Sequence, residues 1–153
     1  MESNDQKPIP TGLPYLWSYP GGLNILEEAL NITIIIFLAF MGFSLHANLL
    51  CGVTFVAAIQ TAVFMILHMK GTIRRSKLAW HWFECVSVLI VALLLAIFAS
   101  VIMTVWTRGY IIAGVIGYLA SMVYFFDTFQ KYQIAVTPVP KYAWTTPNMP
   151  DLN

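Results

Sequence analysis

Charged residues are scarce in this sequence. Only 10% of its 153 residues are Asp, Glu, Lys or Arg, whereas 59% are hydrophobic. In a soluble domain roughly a quarter of the residues are charged, so this chain has too few polar residues to cover its surface in water. The composition excludes a water-soluble globular protein and predicts one membrane domain with short tails.

Features that would indicate an enzyme are also missing. The chain has only two cysteines, Cys51 and Cys85, and no Cys-x-x-Cys motif or nucleophilic triad. The net charge of +1 provides no broad basic face, so nucleic-acid binding is not expected. Residues 1–23 lack the apolar core of a signal peptide. We therefore expect a protein that is not an enzyme and needs no cofactor.

Long apolar runs are what the chain has in abundance. A helix that spans a bilayer needs roughly 20 mostly apolar residues. Four runs meet this length, at about residues 25–47, 49–69, 78–106 and 109–132. The bilayer offers no hydrogen bonds to the backbone, and these runs do not alternate as barrel strands do. The sequence predicts an all-α fold, a membrane-embedded bundle of four transmembrane helices.

A short basic loop between the second and third runs predicts the orientation. It contains four of the chain's eight basic residues, Lys70, Arg74, Arg75 and Lys77. Loops rich in Lys and Arg stay in the cytoplasm. Both termini are then cytoplasmic, and only Arg108 lies outside. The prediction divides the chain into a cytoplasmic N-terminal tail (1–23), the transmembrane domain (24–133) and a disordered, proline-rich cytoplasmic C-terminal tail (134–153).

Carboxylates near the ends of the runs are the main candidates for chemistry. We expect Glu28, Glu84 and Asp127 at the cytoplasmic rim of the membrane, with Glu27 beside Glu28 at the start of the first helix. Asp127 and Lys131 are spaced i, i+4 and can pair along one helix. Two interpretations remain open: carboxylates satisfied locally at the interface, or a proton or cation site in a small channel or transport subunit.

Histidines provide a further alternative. His68 ends the second run and His81 begins the third, where His81 and Glu84 share a helix side. This grouping is compatible with a metal or haem site. Interfacial histidine beside a basic loop is the competing interpretation, and it is the one we adopt.

Small residues recur in the fourth run at every fourth position: Gly109, Ala113, Gly117 and Ser121, with Gly114 beside them. Such a stripe lets another helix approach closely. It could serve packing within the bundle or form a homodimer seam. Gln60, in the middle of the second run, is expected to hydrogen-bond to another helix or to contact a ligand.

The end of the fourth run carries a family resemblance. The segment from Ala113 to Ser121 is rich in small residues, and an acidic residue and a basic-aromatic exit follow it, in Phe126-Asp127-Thr128-Phe129-Gln130-Lys131-Tyr132. Glu84 follows Trp82 near the start of the third run and is similar to the acidic residue that members of the family named below have early in their third helix. With four spans, short outer turns and a basic central loop, residues 24–133 resemble the MARVEL family of four-span proteins, which includes MAL, plasmolipin and the CKLF-like proteins.

The resemblance implies a role in organising membranes. Proteins of this kind act in lipid microdomains, in vesicle trafficking and in membrane apposition or fusion, at the plasma membrane or on trafficking vesicles. The implied partners are membrane lipids, including cholesterol-rich domains, other membrane proteins and a second copy of the chain. Anionic lipid is expected at the basic loop. The chain lacks the outer-loop cysteine pairs of some relatives, which argues against an adhesive role at cell junctions.

Overall fold

The structure, a computed structural model, describes residues 11–42, 44–71 and 79–136. Over these residues it contains helices and no strand. A short helix, α1 (Leu13–Leu16), precedes four long ones, α2 (Tyr19–Met41), α3 (Leu45–Met69), α4 (Ala79–Met103) and α5 (Arg108–Val136). All four are long and apolar enough to cross a membrane. The predicted all-α fold with four such helices is therefore confirmed.

The first long helix begins earlier than predicted, at Tyr19 and not at residue 25. The Ser18 hydroxyl caps it by accepting a backbone N–H at 3.3 Å. Pro20 lies in the first turn, where a helix does not need its missing N–H. Part of the segment assigned to the N-terminal tail from the sequence, residues 1–23, is thus helical, in α1 and in the start of α2.

The same helix also ends earlier than predicted. Gly42 follows Met41 with a φ of 86°, a left-handed conformation that glycine adopts without strain and that stops the helix. The Ser44 hydroxyl then accepts the backbone N–H of Ala47 at 3.1 Å and starts α3. Ala47, predicted as the last residue of the first span, lies instead in the first turn of the second.

The four long helices pack in a ring in which each contacts the next along the chain, and α5 closes the ring against α2. The connections between α2 and α3 (residues 42–44) and between α4 and α5 (residues 104–107) are short, so neighbours run antiparallel. The interior of the ring is apolar over most of its length. Its buried side chains include Ile34, Leu38, Leu50, Ala57, Val91, Leu95, Ile102 and Ala113.

At one end of the bundle α3 ends at Lys70, and we call this end the basic end. Helix α1 docks on this end. The Gly12 backbone N–H donates to the Met69 carbonyl at 3.0 Å, and the Tyr15 ring stacks on His68 with their centroids 5.1 Å apart. The first described residue therefore lies at the end of the bundle where α3 ends, and the antiparallel order of the helices brings the end of α5, Val136, to the same end.

Several predictions from the sequence fall outside the described residues. These concern Arg74, Arg75 and Lys77 of the basic loop, residues 1–10, and the proline-rich tail beyond residue 136. The predicted boundary of that tail at residue 134 lies within α5, which continues to Val136.

Candidate functional site

A group of polar side chains is buried inside the bundle near the basic end. It draws on every helix and is called the polar cluster below. Its members are Tyr15 of α1; Asn24, Glu27 and Asn31 of α2; Thr61 and His68 of α3; Glu84 of α4; and Tyr124, Asp127 and Lys131 of α5. Polar groups withdrawn from water must be paired inside the protein, so the hydrogen bonds and charges of this cluster decide how the helices fit together.

Lys131 is the centre of the charged half of the cluster. Its ammonium nitrogen lies 2.9 Å from Glu84 Oε1 and 2.5 Å from Asp127 Oδ2, with only 8% of the residue exposed. The predicted pair between Asp127 and Lys131 is thus present, and Glu84 extends it from α5 to α4. His68 adds a contact from α3, with its Nε2 3.7 Å from Glu84 Oε2. One buried ammonium therefore ties two helices together, and a third reaches it through Glu84.

The other half of the cluster is a chain of hydrogen bonds across α2, α3 and α5. The Asn31 amide donates to the Tyr124 hydroxyl at 2.7 Å, and that hydroxyl lies 2.8 Å from the Thr61 hydroxyl. Thr61 donates to Glu27 Oε2 at 3.2 Å. Glu27 lies one helical turn nearer the basic end than Asn31, at the level of Asp127 on α5, so the two halves of the cluster adjoin there.

Tyr15 covers the cluster at the basic end. Its hydroxyl accepts a hydrogen bond from the Asn24 amide at 2.8 Å, and its ring lies against His68. Burial raises the pKa of the Tyr15 hydroxyl above its usual value. The hydroxyl therefore remains neutral at physiological pH, and α1 covers the charged groups without adding a negative charge to them.

The carboxylate that α2 contributes to the cluster is not the one that the sequence analysis placed among the rim carboxylates. Glu28 is only half-buried and lies outside the cluster, whereas Glu27 is 1% exposed and belongs to it. Because α2 begins at Tyr19, Glu27 lies about two turns inside the helix rather than at its start. Glu84 and Asp127, predicted at the rim, point into the bundle. The signal that could have found Glu27 is its spacing: it shares one helix face with Asn24 and Asn31.

The small-residue stripe of α5 faces α4 over its central part. A side chain added at Gly117 would lie 3.0 Å from the Cβ of Ala99, and one added at Gly114 would meet Met103 and the Ala99 carbonyl. The Ser121 hydroxyl donates to the Ala92 carbonyl at 2.8 Å.

The two remaining stripe residues have different surroundings. Ala113 is fully buried in the core, and Gly109 faces the Met41 side chain of α2. Taken together, the five positions place the stripe inside the bundle, and Gly114 lies in the helix interface rather than beside it.

Gln60 also meets another helix. Its amide donates to the Ser87 hydroxyl of α4 at 3.3 Å. Both residues line an apolar depression of about 250 Å³ between α3 and α4, together with Phe64 and Trp80.

The predicted histidine grouping is only partly assembled. His68 contacts Glu84, and His81 is half-buried near them. Among the residues that the structure describes, no three His, Cys, Asp or Glu side chains are placed to hold a metal ion together.

Chemically, the polar cluster can clamp the helices, hold buried charge and exchange protons. Its carboxylates outnumber its ammonium groups, and its most exposed side chains are those of His68 and Lys131, at 11% and 9%. Comparisons with models of protein families, with curated proteins and with solved structures find no match to this chain, so its function is argued from the bundle and this cluster.

Proposed function

We propose that the chain is a non-enzymatic, multi-pass membrane protein that organises lipid microdomains and acts in vesicle trafficking or in membrane apposition and fusion. The observation that carries this proposal is the distribution of apolar surface. Every long helix exposes large apolar side chains on the outside of the bundle, for example Ile36, Phe55, Ile90 and Phe126. A surface of this kind is suited to lipid and to other membrane proteins.

Aromatic residues at the two ends of the bundle support the same proposal. Trp17 is 92% exposed at the basic end, and Trp106 is 90% exposed at the opposite end. Tryptophan concentrates at the two membrane interfaces, where its apolar ring and its N–H are both accommodated. The connections at the end opposite the basic end are three or four residues long and offer little surface to a ligand outside the bilayer.

The basic loop gives the proposed orientation and a proposed lipid partner. Lys70 is exposed at the end of α3, and Arg74, Arg75 and Lys77 follow it in the sequence. The positive-inside rule places this end in the cytoplasm. There the loop faces an anionic leaflet, to which each basic residue contributes about 1 kcal/mol of attraction. We place the protein at the plasma membrane or on trafficking vesicles, with cholesterol-rich lipid and a second copy of the chain among its partners.

A proton or ion channel is the second candidate, because Glu84 and Asp127 are buried within the bundle. Two observations favour the first proposal over it. Lys131 forms an ion pair with each of these carboxylates, and the core beyond the cluster is apolar up to the opposite end. The buried hydroxyl of Thr54, on that path, is bonded to a backbone carbonyl. Conduction would require a rearrangement of this core.

Reconstitution distinguishes the two candidates. In giant vesicles with coexisting ordered and disordered phases, we expect fluorescently labelled protein to concentrate in the cholesterol-rich ordered phase. In proteoliposomes with an imposed pH gradient, we expect the gradient to decay no faster than in empty liposomes. Exclusion from the ordered phase, together with a proton flux that Asp127→Asn abolishes, would contradict the first proposal and favour the channel.

A further inference from the structure

The polar cluster carries more negative than positive charge. Glu27, Glu84 and Asp127 are each at most 1% exposed, and Lys131 is the one buried ammonium among the described residues. Even with His68 protonated, one negative charge remains without a partner. Burying an uncompensated charge in a low-dielectric interior is strongly unfavourable, and a membrane interior is at least as unfavourable. The cluster therefore requires a further positive charge.

Buried oxygen atoms show where that charge is missing. Glu27 Oε1 and Asp127 Oδ1 are both inaccessible to water, and neither has a hydrogen-bond donor among the described residues. The other oxygens of these two carboxyls are occupied, Glu27 Oε2 by Thr61 and Asp127 Oδ2 by Lys131. Nearby, Asn31 Oδ1 is also buried without a donor. These acceptors need a donor or a cation, because an ionised carboxylate can only accept.

We propose that Glu27 and Asp127 share one bound proton. The hydrogen bond between Asn31 and Tyr124 sets the register of the antiparallel helices α2 and α5, and one turn nearer the basic end this register places Glu27 opposite Asp127. A proton on Glu27 Oε1 or Asp127 Oδ1 forms an O–H bond with one carboxyl and a hydrogen bond to the other. It thereby satisfies both groups and removes a negative charge. Two carboxylates held together commonly keep one proton in this way, because they cannot both ionise without repulsion.

The surroundings of the pair favour a proton over a metal cation. Lys131 already lies 2.5 Å from Asp127 and would repel a metal ion in the same place, whereas a protonated carboxyl is neutral. The other titratable groups facing the pair come from each packed element: Tyr15 of α1, His68 of α3, Glu84 and Cys85 of α4, and Tyr124 of α5. His68 and Lys131 are the members of the cluster whose side chains reach the surface, so water at the basic end exchanges the proton through them.

Infrared spectroscopy of the full chain in lipid tests the proposal directly. A protonated carboxyl has a C=O stretching band that a carboxylate lacks. At neutral pH we expect this band in the wild type and in Glu28→Gln, a matched control because Glu28 neighbours Glu27 but lies outside the cluster. We expect Glu27→Gln to lack it. A wild type without the band at neutral pH overturns the proposal even if no variant folds, and so does a band that persists in Glu27→Gln.

Stability as a function of pH provides the second measurement. The native state holds a proton that the unfolded chain has released at neutral pH, so stability must fall as the pH rises until the native pair deprotonates. For one proton, the unfolding equilibrium constant in detergent should rise tenfold per pH unit relative to that of Glu27→Gln. Glu28→Gln should behave like the wild type. If the stabilities of the wild type and of Glu27→Gln depend equally on pH, the proposal is wrong. It is also wrong if Na⁺ stabilises the wild type but not Glu27→Gln, because the pair would then bind a metal cation instead of a proton.

Discussion

Replacement of Lys131 by methionine is expected to destabilise the bundle by about 3–5 kcal/mol, the cost of leaving a buried charge without its partner. The ammonium is the shared partner of Glu84 and Asp127, which are at most 1% exposed. Methionine keeps the length and the apolar stem of lysine, so the loss comes from charge rather than from packing. Unfolding in mixed micelles, followed by circular dichroism, measures the difference in stability.

A combined variant separates the charge effect from other consequences of the substitution. If unpaired carboxylates cause the loss, then Glu84→Gln and Asp127→Asn, introduced together with Lys131→Met, should restore most of the stability, because neutral amides are cheaper to bury. Lys70→Met is the matched control, since Lys70 is exposed at the end of α3. It should change stability by less than about 0.5 kcal/mol. A stable Lys131→Met protein, or a combined variant less stable than Lys131→Met, would refute the role given to this ion-pair network.

Leucine at Gly114 or Gly117 is expected to push α5 away from α4. A side chain at Gly117 meets Ala99 at 3.0 Å, and one at Gly114 meets the Ala99 carbonyl at 3.0 Å as well as Met103. Overpacking a tight interface costs about 1–3 kcal/mol or more. We expect Gly114→Leu to be at least as damaging as Gly117→Leu, because its new side chain meets backbone that cannot rotate away. Thermal unfolding and the yield of folded protein give the measurement.

Gly52→Leu is the matched control for these two variants. Gly52 lies within α3 on the outside of the bundle, and a side chain added there meets nothing within 4 Å. It should fold like the wild type. Crosslinking in the same membranes tests the homodimer alternative for the stripe: unchanged stability of Gly114→Leu and Gly117→Leu, with loss of crosslinked dimer, would place the stripe between two copies instead of within one.

The fold was predictable because the physics of a membrane span is local. Twenty apolar residues in sequence are sufficient to predict a spanning helix, and the four runs correspond to α2, α3, α4 and α5. Helix ends were less predictable. Pro14 and Pro20 each lie in the first turn of a helix, where proline is tolerated, and the apolar runs do not include these turns. The N-caps Ser18 and Ser44 determine where α2 and α3 begin, and a hydropathy profile does not detect them.

The candidate site was predictable only in part. The spacing of Asp127 and Lys131 predicted their pairing, and Glu84 was recognised as a candidate. Glu27 was not separated from Glu28, because the predicted helix began at residue 25 and placed both at the interface. The shared helix face of Asn24, Glu27 and Asn31 favours Glu27 over Glu28, but the packing of α2 against α3 and α5 determines whether that face points inward.

The place of Gly114 depended on tertiary packing for the same reason. Spacing of four residues identified Gly109, Ala113, Gly117 and Ser121 as a stripe and left Gly114 beside it. The neighbouring helix covers a wider strip than one row, and Gly114 lies under it, against Ala99 and Met103. The position of Tyr15 over the polar cluster was likewise not predictable, because it depends on the stacking of Tyr15 on His68, a residue distant in sequence.

The proposed function requires a bundle that crosses the membrane four times with its basic end in the cytoplasm. Labelling of single cysteines in intact cells with a membrane-impermeant thiol reagent tests this most directly, in a chain whose Cys51 and Cys85 are replaced by alanine. Thr107→Cys, in the exposed connection between α4 and α5, should be labelled from outside. Ser76→Cys, in the basic loop, should be labelled only after the cells are permeabilised. Labelling of Ser76→Cys in intact cells, or protection of Thr107→Cys, would contradict the proposed topology.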